Sequence, residues 1–268
     1  MLGVGLSVLA GSGPYFNTYT HHMEVGEWEL EAGVDAVRAP EGGWAYGQAI
    51  ELEHGFTPRF AASLYLLGSW QPGSPARLDG YKMETRFRPW VVNAFWVPTL
   101  YLEYEQFHHP EVYRDAAVGF AEAGSDKNAF RTEHEIEARL IFSRDFDWGN
   151  LTLNLVAEKN LNGEAVAFGY TAGFFIKGPS TGLEGAAAFD PDGDGDTHLL
   201  YGVEFYGNLG ASGDFGLRRS GQEQYAEPFI ALPLSSRLTL KAGAAVGLNR
   251  VSEDRVRMLL VVRLGHLK

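Results

Sequence analysis

The residues best placed to do chemistry are carboxylates at alternate positions. Asp190-Pro191-Asp192-Gly193-Asp194-Gly195-Asp196 sets four of them two residues apart, with glycines between the later ones, so a turn can aim several oxygens at one hard cation. The run matches the start of a calcium loop. Its twelfth position is Tyr201 and not a bidentate Glu, which leaves a Ca2+ site and a solvated acidic loop both open. Two histidine clusters, His21-His22 and His108-His109 with Glu111, offer imidazoles to a metal. Neighbouring side chains of an extended strand point to opposite faces, so either pair can share an ion only from a loop, where such a pair is ordinarily just exposed.

A larger set of charges recurs with period two. Glu27, Glu29, Glu31, Asp35, Glu51, Glu53, Glu103, Glu105, Glu133, Glu135, Glu137, Glu158 and Glu204 share this pattern with Lys82, Arg86, Arg88, Arg139, Arg257 and Arg263. Catalysis is not the expected use of these groups. The chain has no His-x-Ser pair of the outer-membrane phospholipase kind, no Gly-x-Ser-x-Gly elbow and no phosphate-binding glycine loop. Where carboxylates are this abundant, no single pair stands out as an acid and base.

Composition narrows the classes further. Gly makes up 33 of 268 residues, about 12% against a usual ~7%, and the aromatic share is 13%, so disorder is excluded. No stretch approaches the ~20 consecutive apolar residues of a membrane helix. The net charge of −12 argues against a nucleic-acid partner, whose phosphates call for Lys and Arg. With no Cys, disulfides, thiolate metal sites, Cys nucleophiles and covalently attached c-type haem are out, and no organic cofactor is expected.

The charges must be positioned by strands, because apolar residues fill the other parity along nearly the whole chain. Trp28, Leu30, Ala32, Val34 and Ala36 alternate with the first acids. Leu100, Leu102 and Tyr104 do so around Glu103, and Ile136, Ala138, Leu140 and Phe142 around Glu137. Twelve such segments can be traced, most of about 9 to 14 residues, longer than the ~5 to 6 usual in soluble sheets and suited to tilted membrane-crossing strands. Short turns at 55–58, 145–150 and 234–237 alternate with longer loops at 68–79, 107–130 and 208–222, the asymmetry of periplasmic turns and outer loops. In lipid the sheet has to close, since an open edge leaves backbone groups unpaired at several kcal/mol each.

The expected fold is therefore all-β, a single transmembrane antiparallel up-and-down barrel of about twelve strands over 11–268, with both ends of the chain on the periplasmic side. Residues 178–223 leave the count open to ten or fourteen; within them 178–197 reads as an insertion, the alternative being an extra strand at Leu183 to Phe189. Met1 to Ala10 (MLGVGLSVLA) reads as the remnant of a signal peptide whose basic start is missing. A soluble β-sandwich or lipocalin-like barrel is the competing architecture; it would require every charged parity to face solvent.

Four segments carry a family resemblance: Val25 to Glu31 (VGEWELE), Glu51 to Phe60 (ELEHGFTPRF), Leu100 to Glu105 (LYLEYE) and Gly149 to Glu158 (GNLTLNLVAE). They resemble a family of Gram-negative outer-membrane barrels, porin-like or transporter-like, distantly similar to the outer-membrane family of phenol-degradation clusters. The resemblance implies outer-membrane lipid and the outer-membrane assembly machinery as partners, and no particular substrate. The chain departs from the general outer-membrane pattern in ending Leu264-Gly265-His266-Leu267-Lys268, without a terminal aromatic.

In such a barrel a midplane Lys or Arg facing lipid costs roughly 2 to 4 kcal/mol, so the charged parity belongs in the lumen. Two functions follow. One is a narrow, acid-rich, cation-favouring passage for small solutes; the other is a non-conducting structural or binding barrel whose lumen is filled by ion pairs. Strand patterning alone does not fix which charges pair, nor the oligomeric state.

Overall fold

The computed structural model describes residues 13–38, 44–70, 73, 75–90, 96–108, 132–162, 165–184, 196–218 and 221–265. Its strands are β1 (Trp28–Arg38), β2 (Trp44–Thr57), β3 (Phe60–Trp70), β4 (Arg77–Phe87), β5 (Val97–His108), β6 (Thr132–Phe146), β7 (Gly149–Asn160), β8 (Val166–Glu184), β9 (Asp196–Ala211), β10 (Gln224–Ser235), β11 (Leu238–Gly247) and β12 (Arg255–Gly265). Every strand pairs antiparallel with its sequence neighbours, and β1 pairs with β12 from Trp28↔Gly265 to Val37↔Arg255. That last ladder closes the sheet into a twelve-stranded barrel with no free edge. The expected fold class and strand count hold.

The shortest connections share one end of the barrel, where the longer β4–β5 and β8–β9 connections also lie. Two-residue links 58–59, 147–148 and 236–237 lie at the end where β1 begins and β12 finishes, which we call the turn end; the opposite, loop end carries the 23 residues 109–131 and the 12 residues 212–223. The stretch 178–197 is neither an inserted loop nor a separate strand in its described part. β8 continues to Glu184 and β9 begins at Asp196, paired through Ser180↔His198 and Glu184↔Asp196 with register shifts between. The hairpin simply outgrows the barrel. Its Gly178, Pro179 and Gly182 interrupt the alternation, so the pattern faded where the strand did not.

Period-two burial divides the wall into two faces. Outward lie Val34, Ile50, Leu66, Leu102, Leu155 and Met258, each more than a third exposed, together with the rest of the apolar parity. Aromatic side chains crowd both ends of this belt: Phe56, Phe60, Phe87 and Trp148 at the turn end, Trp44 and Trp70 at the loop end. Inward lie the charges. The barrel is thus inverted relative to a soluble one, with its polar face enclosed and its apolar face outside.

Candidate functional site in the barrel lumen

Because side chains alternate, each strand delivers its polar parity to the interior. Glu31 and Asp35 of β1, Glu51 of β2, Lys82, Glu84 and Arg86 of β4, Glu103 and Glu105 of β5, Glu137 and Arg139 of β6, Glu204 of β9, Glu227 of β10, Lys241 of β11 and Arg255, Arg257 and Arg263 of β12 are all buried there. Register sets like charges directly opposite one another, as in Glu31↔Glu51 and Glu29↔Glu53 between β1 and β2, and Glu103 between Glu84 and Glu137. Such cross-strand pairs repel. The interleaved bases answer them: Lys82 Nζ lies 3.0 Å from Glu103 and 3.6 Å from Glu84, Arg139 pairs with Glu137 at 2.5 Å, Lys241 with Glu31 at 3.3 Å, and Arg86 with Glu53. Arg257 bridges Asp35 and Glu227, each at 3.4 Å.

The remaining charged positions sit nearer the rims. Arg263 reaches Glu24, Glu27 and Glu29 at 3.3 to 3.9 Å around the start of β1. Arg88 lies just past β4 and donates to the carbonyl of Pro58. Glu133 and Glu135, half-buried towards the loop end, both accept from Asn160 Nδ2, and Glu158 is half-buried opposite Glu137.

The lumen is not lined by strands alone. Residues 14–21 run through it and are all buried. On one side Glu204 accepts from the backbone N–H groups of Phe16 and Asn17 and from the Thr18 hydroxyl at 2.7 Å, while Asn17 Nδ2 donates to Glu227 at 3.0 Å and Arg257 donates to Asn17 Oδ1 at 2.6 Å. Across the bore, Tyr19 N–H donates to Asn154 Oδ1 at 2.8 Å, its carbonyl accepts from Asn154 Nδ2 at 2.9 Å, and its hydroxyl donates to Glu84 at 2.7 Å. Arg139 adds a bond to the Asn17 carbonyl at 2.7 Å and stacks its guanidinium over the Tyr19 ring. A backbone without sheet partners must find its hydrogen bonds elsewhere; here wall side chains from β4, β6, β7 and β9 supply them, while β10 and β12 hold the Asn17 side chain. Thr18, Glu204, Glu227 and Arg257 are left with no solvent exposure.

The segment leaves at the turn end. The rings of His21 and His22 lie against each other at a tilt of 35°, centroids 4.2 Å apart, and both turn Nε2 towards Asp145 of β6. Burial, and then the neighbouring His22, pull the His21 pKa below the ordinary imidazole value, against the upward pull of Asp145. Gly26, at φ 77°, donates to the Gly55 carbonyl and turns the chain into β1. The expectation of an exposed histidine loop therefore fails for this pair: the residues belong to the buried segment, and the bend there replaces strand geometry. His108 ends β5 with its ring against Thr132. His109, Glu111, Asp190, Asp192 and Asp194, the side chain of Asp196 and residues 1–10 lie outside what the structure describes.

Compared by sequence, the chain matches no family model and no curated protein. Compared by structure, it superposes on an outer membrane channel from Pseudomonas putida F1 with a TM-score of 0.53, covering 91% of this chain and 97% of that one at 9% identity. The fold is similar to that of an outer-membrane channel. The translocator domain of the autotransporter NalP from Neisseria meningitidis (TM-score 0.46, 11% identity, 88% of each chain) and the outer membrane protein opdK from Pseudomonas aeruginosa (0.26, 13%, 89% of this chain and 98% of that one) match more loosely.

Glu227, Lys241 and Arg255 escaped the sequence reading of charges, and Glu84, on the charged parity of β4 between Lys82 and Arg86, is absent from the candidate lining. Each sits on the inward parity of a strand already recognised, so extending the parity count would have found them. The crossing segment left a subtler trace, in glycines at inward positions 173 and 243, where only a hydrogen leaves room for its rings.

Proposed function

We propose that this protein is an integral outer-membrane barrel forming a narrow, cation-preferring passage for small solutes, and that the segment around Phe16 to His22 holds the passage shut. The membrane assignment is supported by the outward belt. Contiguous exposed apolar surface on this scale exceeds the few hundred Å² that soluble monomers tolerate, and the ion-paired face is the enclosed one. Passage is supported by strand number, since twelve strands enclose a bore between those of filled eight-stranded barrels and open porins. The carrying observation is the crossing itself, with Glu204 and Arg257 gripping one side of the segment and Asn154, Glu84 and Arg139 the other.

On this reading the buried carboxylates set ion preference and perform no catalysis. Planar-bilayer recording tests it. The intact protein should give rare, cation-selective steps, and Glu103→Gln with Glu135→Gln should weaken the selectivity, because acids outnumber bases on the inward face. An anion preference would refute the acid-lumen argument. The second reading, a non-conducting barrel, is favoured by the complete burial of Arg257, Glu204 and Glu227; membranes that stay silent after the segment is loosened would establish it.

A further inference from the structure

We propose that His21, His22 and Asp145 form a site for a divalent transition-metal ion of the zinc class, tying the crossing segment to strand β6. His21 Nε2 lies 3.2 Å from Asp145 Oδ2, and His22 Nε2 lies 3.0 Å from the same oxygen and 3.1 Å from Oδ1. One donor atom from each of the three residues falls within 4.8 Å of the others. An ion held at about 2.0 to 2.2 Å by imidazole nitrogen and carboxylate oxygen needs its donors roughly 3 to 3.5 Å apart, and both His–Asp separations meet that spacing.

Two further features favour a metal over an ordinary hydrogen-bonded trio. Consecutive histidines aim the same ring nitrogen at one point, which an extended backbone forbids; the chain bends at His21 to allow it. Asn150 Nδ2 donates to Asp145 Oδ1 at 2.7 Å, orienting the carboxylate and leaving Oδ2 towards the imidazoles, as groups behind a metal ligand do.

Ligand type selects the ion. Two imidazoles with one carboxylate suit Zn2+, Ni2+ or Cu2+, whereas Ca2+ and Mg2+ demand shells of oxygens that this site lacks. Bound as ligands, two imidazoles and one carboxylate would bring one negative charge to the cation. Arg88, which donates to the His21 carbonyl at 3.4 Å, opposes it from the rim. His22 and Asp145 keep side-chain exposures of 23% each, enough for an ion to enter from the turn end. Since two ligands belong to the segment and one to the wall, occupancy fastens one to the other.

The test uses the full chain, folded in detergent micelles and stripped with a chelator. Zn2+ is titrated calorimetrically, and Co2+ is followed by its visible absorption. One ion per barrel is expected, with a Co2+ spectrum showing nitrogen and oxygen ligation. His22→Gln and Asp145→Asn should each weaken binding more than tenfold, while His108→Ala leaves it unchanged; the circular dichroism of each variant confirms that it has folded. Absence of stoichiometric binding by the intact barrel overturns the proposal, as does undiminished binding by both folded variants. Binding is read without a membrane current, so failure here is distinct from failure of the passage reading.

Discussion

Gly243, on the lumen face of β11, lies directly against the ring of Phe16: a Cβ at this position would sit 2.7 Å from Phe16 Cε2 and 2.9 Å from Glu227 Oε1. Gly173 of β8 stands in the same relation to Tyr15, with a Cβ 2.5 Å from Cε1. The wall is thus recessed where the crossing segment rests its two leading aromatic rings.

Filling those recesses should push the segment out while sparing the barrel. Gly243→Leu overpacks the contact, at a cost of about 1 to 3 kcal/mol. The strand ladder on either side of residue 243 needs no glycine conformation, because its φ is not positive. We expect an unchanged β-sheet circular dichroism spectrum and a clear rise in open probability in planar bilayers. A silent variant with native circular dichroism would mean that the segment does not limit conduction.

The outward face makes a separate prediction. Leu102, central in β5 and 55% exposed, faces lipid if the barrel spans a membrane. Leu102→Arg should then cost roughly 2 to 4 kcal/mol in urea unfolding from lipid vesicles. In a water-soluble barrel the same change would fall within about 0.5 kcal/mol of neutral.

The twelve strands were legible because one physical demand, opposite polarity on the two faces, repeats at every second residue. The crossing segment was not. Tyr15-Phe16-Asn17-Thr18-Tyr19-Thr20 carries neither a strand nor a helix period, since it is enclosed on all sides, its rings packing on apolar wall residues such as Phe175 and Phe229 and its polar groups on wall charges and amides. Its partners also come from remote sequence, with Arg257 lying 240 residues beyond Asn17. No local window contains both members of such a pair. Gly173 and Gly243 fit the small inward parity of their strands, so the trace they carry becomes readable only with the rings of Tyr15 and Phe16 in place above them.

Calcium is tested at the β8–β9 connection by melting. If Asp190, Asp192, Asp194 and Asp196 gather oxygens around Ca2+, the ion binds only the folded chain and should raise the melting temperature in proportion to the logarithm of its concentration. Asp192→Ala with Asp194→Ala should abolish that rise. A parent protein indifferent to calcium would leave the stretch a solvated acidic loop.

The final prediction concerns Arg257, which is fully buried and bonds at once to Asp35 of β1, Glu227 of β10 and Asn17 of the segment. Replacing it with Met keeps much of the volume and removes the charge, stranding two buried carboxylates. Arg255 does not stand in for it, since its guanidinium comes only within 4.0 Å of Asp35. Breaking one side of such a network typically costs about 3 to 5 kcal/mol, whereas removing opposed charges together often costs little. Arg257→Met should therefore destabilise the barrel strongly, and Arg257→Met with Glu227→Gln should regain a large part of the loss. A double-mutant cycle in urea, read by tryptophan fluorescence, gives the coupling energy. A value near zero would mean that Arg257 acts through packing alone, and the charged grip on the segment would then rest on Glu204.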